Sequence, residues 1–293
     1  MRLTVWRTMK LPTDANLAEL QQAVLKQISP EITDTQASLL VLLAHVLQTP
    51  KTWVLAHPEA HLNAEQAGLF IQLAQRFAHG EPLAYLTGCQ EFFGLKFFVS
   101  PAVLIPRPET ELLVEEALDW LQGKPGSLQA LDVGTGSGCI AITLAKLVPN
   151  LNVTAVDSSA EALTVASANA RQHQVSERVT FLQADLIPEA LPRFDLICAN
   201  LPYIPTGKLS AVNSRAYEPS EALDGGADGL RLLRRFFEQI PQHVCPRGLV
   251  LAETEAGLGP ATLALARESL PDAQIDLLQD LNQRDRLVRI QLL

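Results

Sequence analysis

Basic residues are scarce in this sequence. Its 23 lysines and arginines stand against 32 aspartates and glutamates, a formal net charge of −9. Affinity for a phosphate backbone comes mainly from Lys and Arg, so no broad nucleic-acid-binding surface is expected. Cysteine is scarce too: Cys89, Cys139, Cys198 and Cys245 lie far apart and form no C-x-x-C pair. Without zinc-like spacing or a disulfide framework, the four read as small buried residues. The longest apolar run, from Leu39 to Leu47, is interrupted by His45 and is too short to cross a bilayer. Met1-Arg2-Leu3-Thr4-Val5-Trp6 lacks the apolar stretch of a signal peptide. His57 and His61 could pair as i, i+4 ligands, but Pro58 intervenes and no third ligand is evident, so no metal site is expected. Internal repeats and low-complexity segments are also missing. These absences predict a soluble, cytoplasmic protein; a monomer is the expectation for its assembly.

What is present is an ordinary globular composition, 47% hydrophobic and 19% charged over 293 residues, enough to bury a core unaided. The first part reads as helical. Residues 16–29 place Leu17, Leu20, Val24, Leu25 and Ile28 at a 3.6-residue rhythm. Thr33 is a candidate cap for the next helix. Asn63 and Gln66 form a capping-box pattern before a third, which Gly80 and Pro82 stop. Residues 91–99 suggest a hairpin turning at Gly94. In the following Leu104-Ile105-Pro106-Arg107-Pro108-Glu109-Thr110-Glu111, two prolines stiffen the loop and Glu109 or Thr110 can start a helix running to about Gln122. Three segments result: a helical docking domain (1–84), a linker with a hairpin (85–108) and a catalytic domain (109–293).

From Leu128 the pattern becomes strand–helix alternation. Candidate strands are 129–133, 152–156, 179–183, 195–199, 248–253, 273–278 and 287–292, with helices at 139–146, 160–173 and 230–240. Such alternation predicts an α/β doubly wound sheet with ligands at the carboxyl ends of its strands. The connection 279–286 is too short for a crossover helix, so the last two strands must pair antiparallel.

Asp132-Val133-Gly134-Thr135-Gly136-Ser137-Gly138 follows a strand and opens a helix. Its spacing is G-x-G-x-G; the pyrophosphate fingerprint would need its third glycine at Cys139, and no Gly-Lys-Ser/Thr of a P-loop follows. Asp157 ends the next strand, where a carboxylate can accept from both ribose hydroxyls. Asp185 ends the third, where it can accept from an adenine amino group, and Leu186 can pack on the purine. After the fourth strand comes Asn200-Leu201-Pro202-Tyr203. A planar nitrogen is a poor nucleophile because its lone pair is delocalised. Two acceptors gripping its N–H bonds concentrate electron density on it and aim it. Asn200 offers its side-chain oxygen, Leu201 its carbonyl turned by Pro202, and Tyr203 a flat face for stacking.

These motifs resemble those of class I S-adenosylmethionine methyltransferases. The resemblance implies a Rossmann-like mixed seven-stranded sheet with a C-terminal antiparallel hairpin, preceded by a small helical bundle. It also implies S-adenosylmethionine as cofactor, with Gly134, Thr135, Gly136, Ser137 and Gly138 around its methionine and ribose portions, Asp157 on the ribose, and Asp185 with Leu186 at the adenine. Asn200 would border both cofactor and substrate.

The Asn-x-Pro-Tyr motif by itself is shared by glutamine and adenine methyltransferases. The rest of the chain is similar to the PrmC/HemK family: Gly80-Glu81-Pro82-Leu83-Ala84-Tyr85-Leu86-Thr87-Gly88, Glu91-Phe92-Phe93-Gly94, Ile105-Pro106-Arg107-Pro108-Glu109-Thr110-Glu111, and Tyr217-Glu218-Pro219 followed by Ala222-Leu223-Asp224-Gly225-Gly226-Ala227-Asp228-Gly229-Leu230. The similarity runs from about Gly80 to the C-terminus. It implies methylation of N5 of the glutamine in the Gly-Gly-Gln loop of class-1 peptide chain release factors, with the N-terminal helices holding that protein. The alternatives are a ribosomal-protein glutamine or an adenine N6 of nucleic acid. One departure stands out. The family usually has proline where Leu201 stands; leucine keeps the carbonyl, loses stiffness and would add bulk beside the substrate amide.

Overall fold

The computed structural model describes residues 15–29, 32–211 and 217–293; the segment Met1–Trp6 lies outside them. Two compact units result, Met1–Gly88 and Cys89–Leu293.

The first unit is helical: α1 (Leu17–Leu25), α2 (Thr35–Leu47), α3 (Lys51–Ala56), α4 (Ala64–Ala78) and α5 (Leu83–Thr87). Capping boxes start two of them. Asn16 and Glu19 exchange hydrogen bonds before α1, and Asn63 and Gln66 do so before α4. Each box satisfies two otherwise orphan backbone donors, worth about 1 kcal/mol apiece. The expected cap at Thr33 does not form. Asp34 precedes α2 in a left-handed conformation and makes no side-chain cap bond. Phe70, Leu39, Leu42 and Leu43 fill the unit's core.

In the second unit, a two-stranded hairpin, β1 (Cys89–Phe92) and β2 (Leu95–Phe98), turns at Phe93-Gly94. Both turn residues have positive φ, as a tight hairpin turn demands. The hairpin buries Phe92 and Phe97. Then come α6 (Glu111–Leu121), β3 (Leu128–Val133), α7 (Cys139–Leu147), β4 (Leu151–Asp157), α8 (Ala160–Gln172), β5 (Val179–Gln183) and β6 (Phe194–Ala199). The chain ends with α9 (Arg231–His243), β7 (Val244–Glu253), α10 (Gly259–Ser269), β8 (Gln274–Gln279) and β9 (Asp285–Gln291). The seven-stranded sheet has the order β5-β4-β3-β6-β7-β9-β8. Strands β3 to β7 pair in parallel, and β9 pairs antiparallel with both β7 and β8. The sheet thus carries the expected final antiparallel hairpin. Apolar clusters cover both faces, one built on α6 and α7, the other on α9. The strand order reverses beside β3, between β4 and β6, where doubly wound sheets open a ligand crevice.

Among the described residues no helix is long and apolar enough to cross a membrane. Of the cysteines, Cys139 and Cys198 are buried, whereas Cys89 and Cys245 are partly exposed.

Candidate active site

The loop after β3 folds over the ends of β3 and β4. Gly134 and Thr135 both donate their backbone N–H to the Val156 carbonyl, at 2.8 and 3.0 Å. Gly138 opens α7 with φ +81°, and a Cβ there would lie 2.7 Å from Ile142 Cδ1 and 3.1 Å from Ala166 Cβ. Only glycine lets α7 start this close to α8. Asn169, fully buried in α8, ties the loop to the hairpin: its amide donates to the Ser137 and Phe98 carbonyls and accepts from the Phe98 N–H.

Beneath the loop, Asp132 Oδ2 accepts from the Thr135 hydroxyl at 2.7 Å and the Ala141 N–H at 3.3 Å, while Oδ1 has no partner. Burial drives the Asp132 carboxyl up to about 6 against these two donors, with the charge of Asp157 adding to the rise.

A cavity enclosing about 850 Å³, partly open to solvent, lies over this edge of the sheet. Gly134, Gly136, Asp157, Asp185, Leu186 and Asn200 line it, along with Leu201 and Pro202. Thr135 and Ser137 are instead buried beneath the loop. The Asp157 carboxylate is anchored by the N–H groups of Gly136 (2.8 Å) and Ser159 (2.9 Å). Carboxylate oxygens accept more than one bond, so both retain capacity toward hydroxyl donors. Asp185 pairs with Arg235 at 2.9 Å, but both side chains are about half exposed. Such a pair is worth ~0–1 kcal/mol and yields readily to a better donor. Leu186 is buried with φ +62°. Fixed acceptors on two strand ends, an apolar wall between them and an edge without a side chain at Gly136 suit a ligand carrying a ribose diol and an aminopurine.

Asn200 follows β6 at the floor of this cavity. Its Nδ2 donates to the Thr110 hydroxyl oxygen at 3.0 Å, leaving Oδ1 as the free acceptor. Thr110 immediately precedes α6 but makes no capping bond; its hydroxyl serves Asn200 instead. Behind both lies Glu253, the last residue of β7 and 1% exposed. The Tyr203 hydroxyl donates to Glu253 Oε1 over a long 3.4 Å, and Oε2 has no hydrogen-bond partner. Burial raises the Glu253 carboxyl to about 7, opposed by the nearby Thr110 hydroxyl, Arg286 and Tyr203. Burial likewise pushes the Tyr203 phenol up, reinforced by the Glu253 charge. Tyr203 therefore has its hydroxyl turned toward Glu253 besides the ring face expected to stack. Thr110 reads in the sequence as a helix start and not as a partner of Asn200, and Glu253 does not stand out, although a carboxylate closing an otherwise apolar strand was the available signal for it.

Leu201 departs from its expected placement. Its side chain, 3% exposed, joins the core cluster that includes Val133 and Ile197. Its Cδ2 lies 3.1 Å from where a Cβ on Gly134 would be. The bulk added by leucine goes under the glycine loop, not toward a substrate amide.

A second cavity, about 470 Å³, meets the first at Asn200, Leu201 and Pro202 and is bounded outside by Arg107, Tyr203 and Ile204. Two devices shape it. Arg107 Nη2 donates to both carboxylate oxygens of Glu218, at 2.8 and 2.6 Å, and Glu218 also accepts from the Ile105 N–H at 3.1 Å. The Glu218 side chain is wholly buried. Glu218 is thus a clamp holding the proline-rich loop. Glu218→Ala strands the Ile105 N–H and the arginine, and should lower unfolding free energy by about 2 kcal/mol in urea titrations. Arg234→Ala, breaking an exposed pair with Asp228, should shift it by less than about 0.5 kcal/mol. The second device is Gly225-Gly226-Ala227-Asp228-Gly229, wrapped around the Tyr203 backbone. Ile204 donates to the Leu223 carbonyl and accepts from the Gly225 N–H.

The raised carboxyls predict a pH dependence of stability. From ordinary values of 3.8 and 4.5, Asp132 and Glu253 rise on folding to about 6 and about 7. Between those limits the folded protein binds more protons than the unfolded chain, so this stability is full below about pH 4 and lost as pH rises through 6 to 7. Glu253→Gln removes one contribution. Its unfolding free energy, measured against the parent from pH 4.5 to 8, should fall less steeply, by on the order of 3 kcal/mol in total.

A parallel sheet closed by an antiparallel hairpin, with a glycine loop, two strand-end carboxylates and Asn-Leu-Pro-Tyr facing one crevice, defines a class I methyltransferase. The hMettl16 catalytic domain in complex with a 3′UTR hairpin shares the fold, with TM-score 0.54, 14% identity and coverage of 78% of this chain and 82% of that one. Two family models match, the PrmC N-terminal domain over residues 18–88 and the methyltransferase small domain over residues 109–217. Release factor glutamine methyltransferase of Bacillus anthracis is 36% identical over 255 residues, covering 85% of this chain and 89% of that protein. That of Bordetella pertussis is 42% identical over 233 residues, covering 78% and 85%. The chain belongs to the release factor glutamine methyltransferase family.

Proposed function

We propose that the protein methylates N5 of the glutamine in the Gly-Gly-Gln loop of class-1 peptide chain release factors. S-adenosylmethionine, when bound, supplies an electrophilic methyl carbon on a sulfonium. The observation carrying this reading is the orientation of Asn200: Thr110 takes its N–H, so Oδ1 stands free where the two cavities meet. In the larger cavity Gly134 and Gly136 present bare backbone to the methionine portion, Asp157 holds the ribose diol, and Asp185 with Leu186 flanks the adenine. In the smaller one Asn200 Oδ1 and the Leu201 carbonyl accept the two N–H bonds of the glutamine amide, and Tyr203 packs on its plane. Gripping both N–H bonds localises the lone pair and points it along the transfer axis, so the chain works chiefly by orientation. The proton leaves to water or to one of these acceptors.

The first unit holds the release factor, consistent with its PrmC N-terminal match. The protein acts as a cytoplasmic monomer, and the −9 charge disfavours nucleic acid as substrate. The test is incubation with S-adenosylmethionine and a class-1 release factor, followed by peptide mass spectrometry. One added methyl on the Gly-Gly-Gln peptide is expected. Label appearing on ribosomal protein, ribosomal RNA or DNA, with that peptide unmodified, would sink the proposal.

A further inference from the structure

Asn200 can serve as an acceptor only if its amide is held one way round, and the amide has no intrinsic preference between its two ends. What holds it is Thr110, a hydroxyl able to donate or accept. Thr110 accepts from Asn200 Nδ2 at 3.0 Å, so its own proton must go elsewhere. The nearby acceptor is Glu253, whose carboxylate the Thr110 hydroxyl stabilises and whose Oε2 is buried and unpartnered.

We infer that Thr110 and Glu253 form a positioning pair: the ionised Glu253 carboxylate takes the Thr110 proton, which commits the Thr110 oxygen to Asn200 Nδ2 and turns Asn200 Oδ1 toward the methyl-accepting nitrogen. Hydrogen bonds in active sites commonly tighten when substrate fills them, and the unpartnered Glu253 Oε2 leaves room for this one to do so. Protonation of Glu253 weakens this order. The neutral carboxyl is the poorer acceptor and its O–H can donate to Thr110, which then donates to Asn200 and favours the flipped amide with Oδ1 inward. Tyr203, donating to Oε1, feels the same change. The groups facing Glu253 are Glu109 and Thr110 before α6, the Cys139 thiol at the start of α7, Tyr203 after β6 and Arg286 of β9, itself paired with Asp280 at 3.1 Å. The Arg107 charge opposes the rise of the neighbouring Tyr203 phenol. Since burial sets the Glu253 carboxyl at about 7, the reversal falls within reach of neutral pH.

The catalytic part of this inference rests on the function proposed above, so one readout is independent of substrate. Thr110→Val keeps the side-chain shape without the hydroxyl, Thr110→Ser restores the hydroxyl, and Glu253→Gln supplies an acceptor that cannot ionise. With a release factor, Thr110→Val should lower kcat about 30-fold, while KM and calorimetric cofactor affinity stay within about two-fold; Thr110→Ser should recover most of the rate. The parent kcat should rise from pH 6 to 8, and Glu253→Gln should flatten that rise although Asp132 remains. In the substrate-free protein, the Asn200 side-chain amide resonances, assigned by their loss in Asn200→Ala, should move over the same pH range. They should stay still in Thr110→Val and Glu253→Gln. A parent Asn200 amide indifferent to pH, or a Thr110→Val enzyme with unchanged kcat, overturns the pair. If the parent methylates no release factor, the substrate assignment falls and the resonances still decide this inference.

Discussion

Asn200→Ala should reduce kcat for release factor methylation by roughly 10²–10³-fold, the range seen when one oriented group stabilising a transition state is removed. The alanine takes away an acceptor that no neighbour can replace, since Thr110 is turned to receive Nδ2 and, in the arrangement proposed above, the Leu201 carbonyl is the other acceptor. An amide with one N–H ungripped keeps its lone pair delocalised and rotates off the transfer axis. Calorimetric affinity for S-adenosylmethionine should change by less than about five-fold, because Gly134, Gly136 and Asp157 are untouched. Single-turnover measurement with saturating release factor separates this chemical defect from product release. A decrease of less than ten-fold would remove Asn200 from the centre of the mechanism.

Gly229→Ala should have the second largest effect, although residue 229 does not line either cavity. Its φ is +81°, and an added Cβ would sit 2.4 Å from the Tyr203 carbonyl oxygen and 2.9 Å from Leu258 Cδ1. Backbone cannot yield as a side-chain tip can. Either residues 225–229 unwrap or Tyr203 is pushed away, carrying Asn200 and Leu201 with it. Left-handed alanine plus overpacking costs about 2–4 kcal/mol. A displacement near 1 Å at the site lowers rate by about 100-fold. Urea unfolding and kcat should therefore both report a large loss. Gly257→Ala is the matched control: its Cβ meets nothing within 4 Å and its φ is unremarkable, so both quantities should stay close to the parent.

The parts of this fold legible in the sequence are those that local chemistry dictates. The hairpin at Phe93-Gly94, the capping box at Asn63 and the alternation from Leu128 to Ala199 each follow from residues within a few positions of one another. What escaped was written less locally. Helix α10 begins with Gly259-Pro260, which reads as a break but suits a first helical turn, where proline gives up no needed N–H. Helices α3 and α5 are too short to show a period. Strand β7 starts earlier than expected, at Val244, and its pairing with β6 shifts register across the segment where Arg247 has a positive φ. In the site, Asp157 and Asn200 were readable as strand-end residues. The meeting of Thr110, Glu253 and Asn200 was not, because three distant segments converge only once the sheet has formed. Nor could the sequence reveal that the Leu201 side chain faces the core.

That last orientation separates what position 201 contributes from what its codon encodes. A main-chain carbonyl is present whichever amino acid is specified, so substitution cannot delete it. Leucine and proline codons can differ by a single base. A lineage can therefore pass between Asn-Pro-Pro-Tyr and Asn-Leu-Pro-Tyr in one step, with no ancestor lacking the acceptor. Under the proposed mechanism, a substitution at 201 changes the fit beneath Gly134 and leaves the acceptor in place.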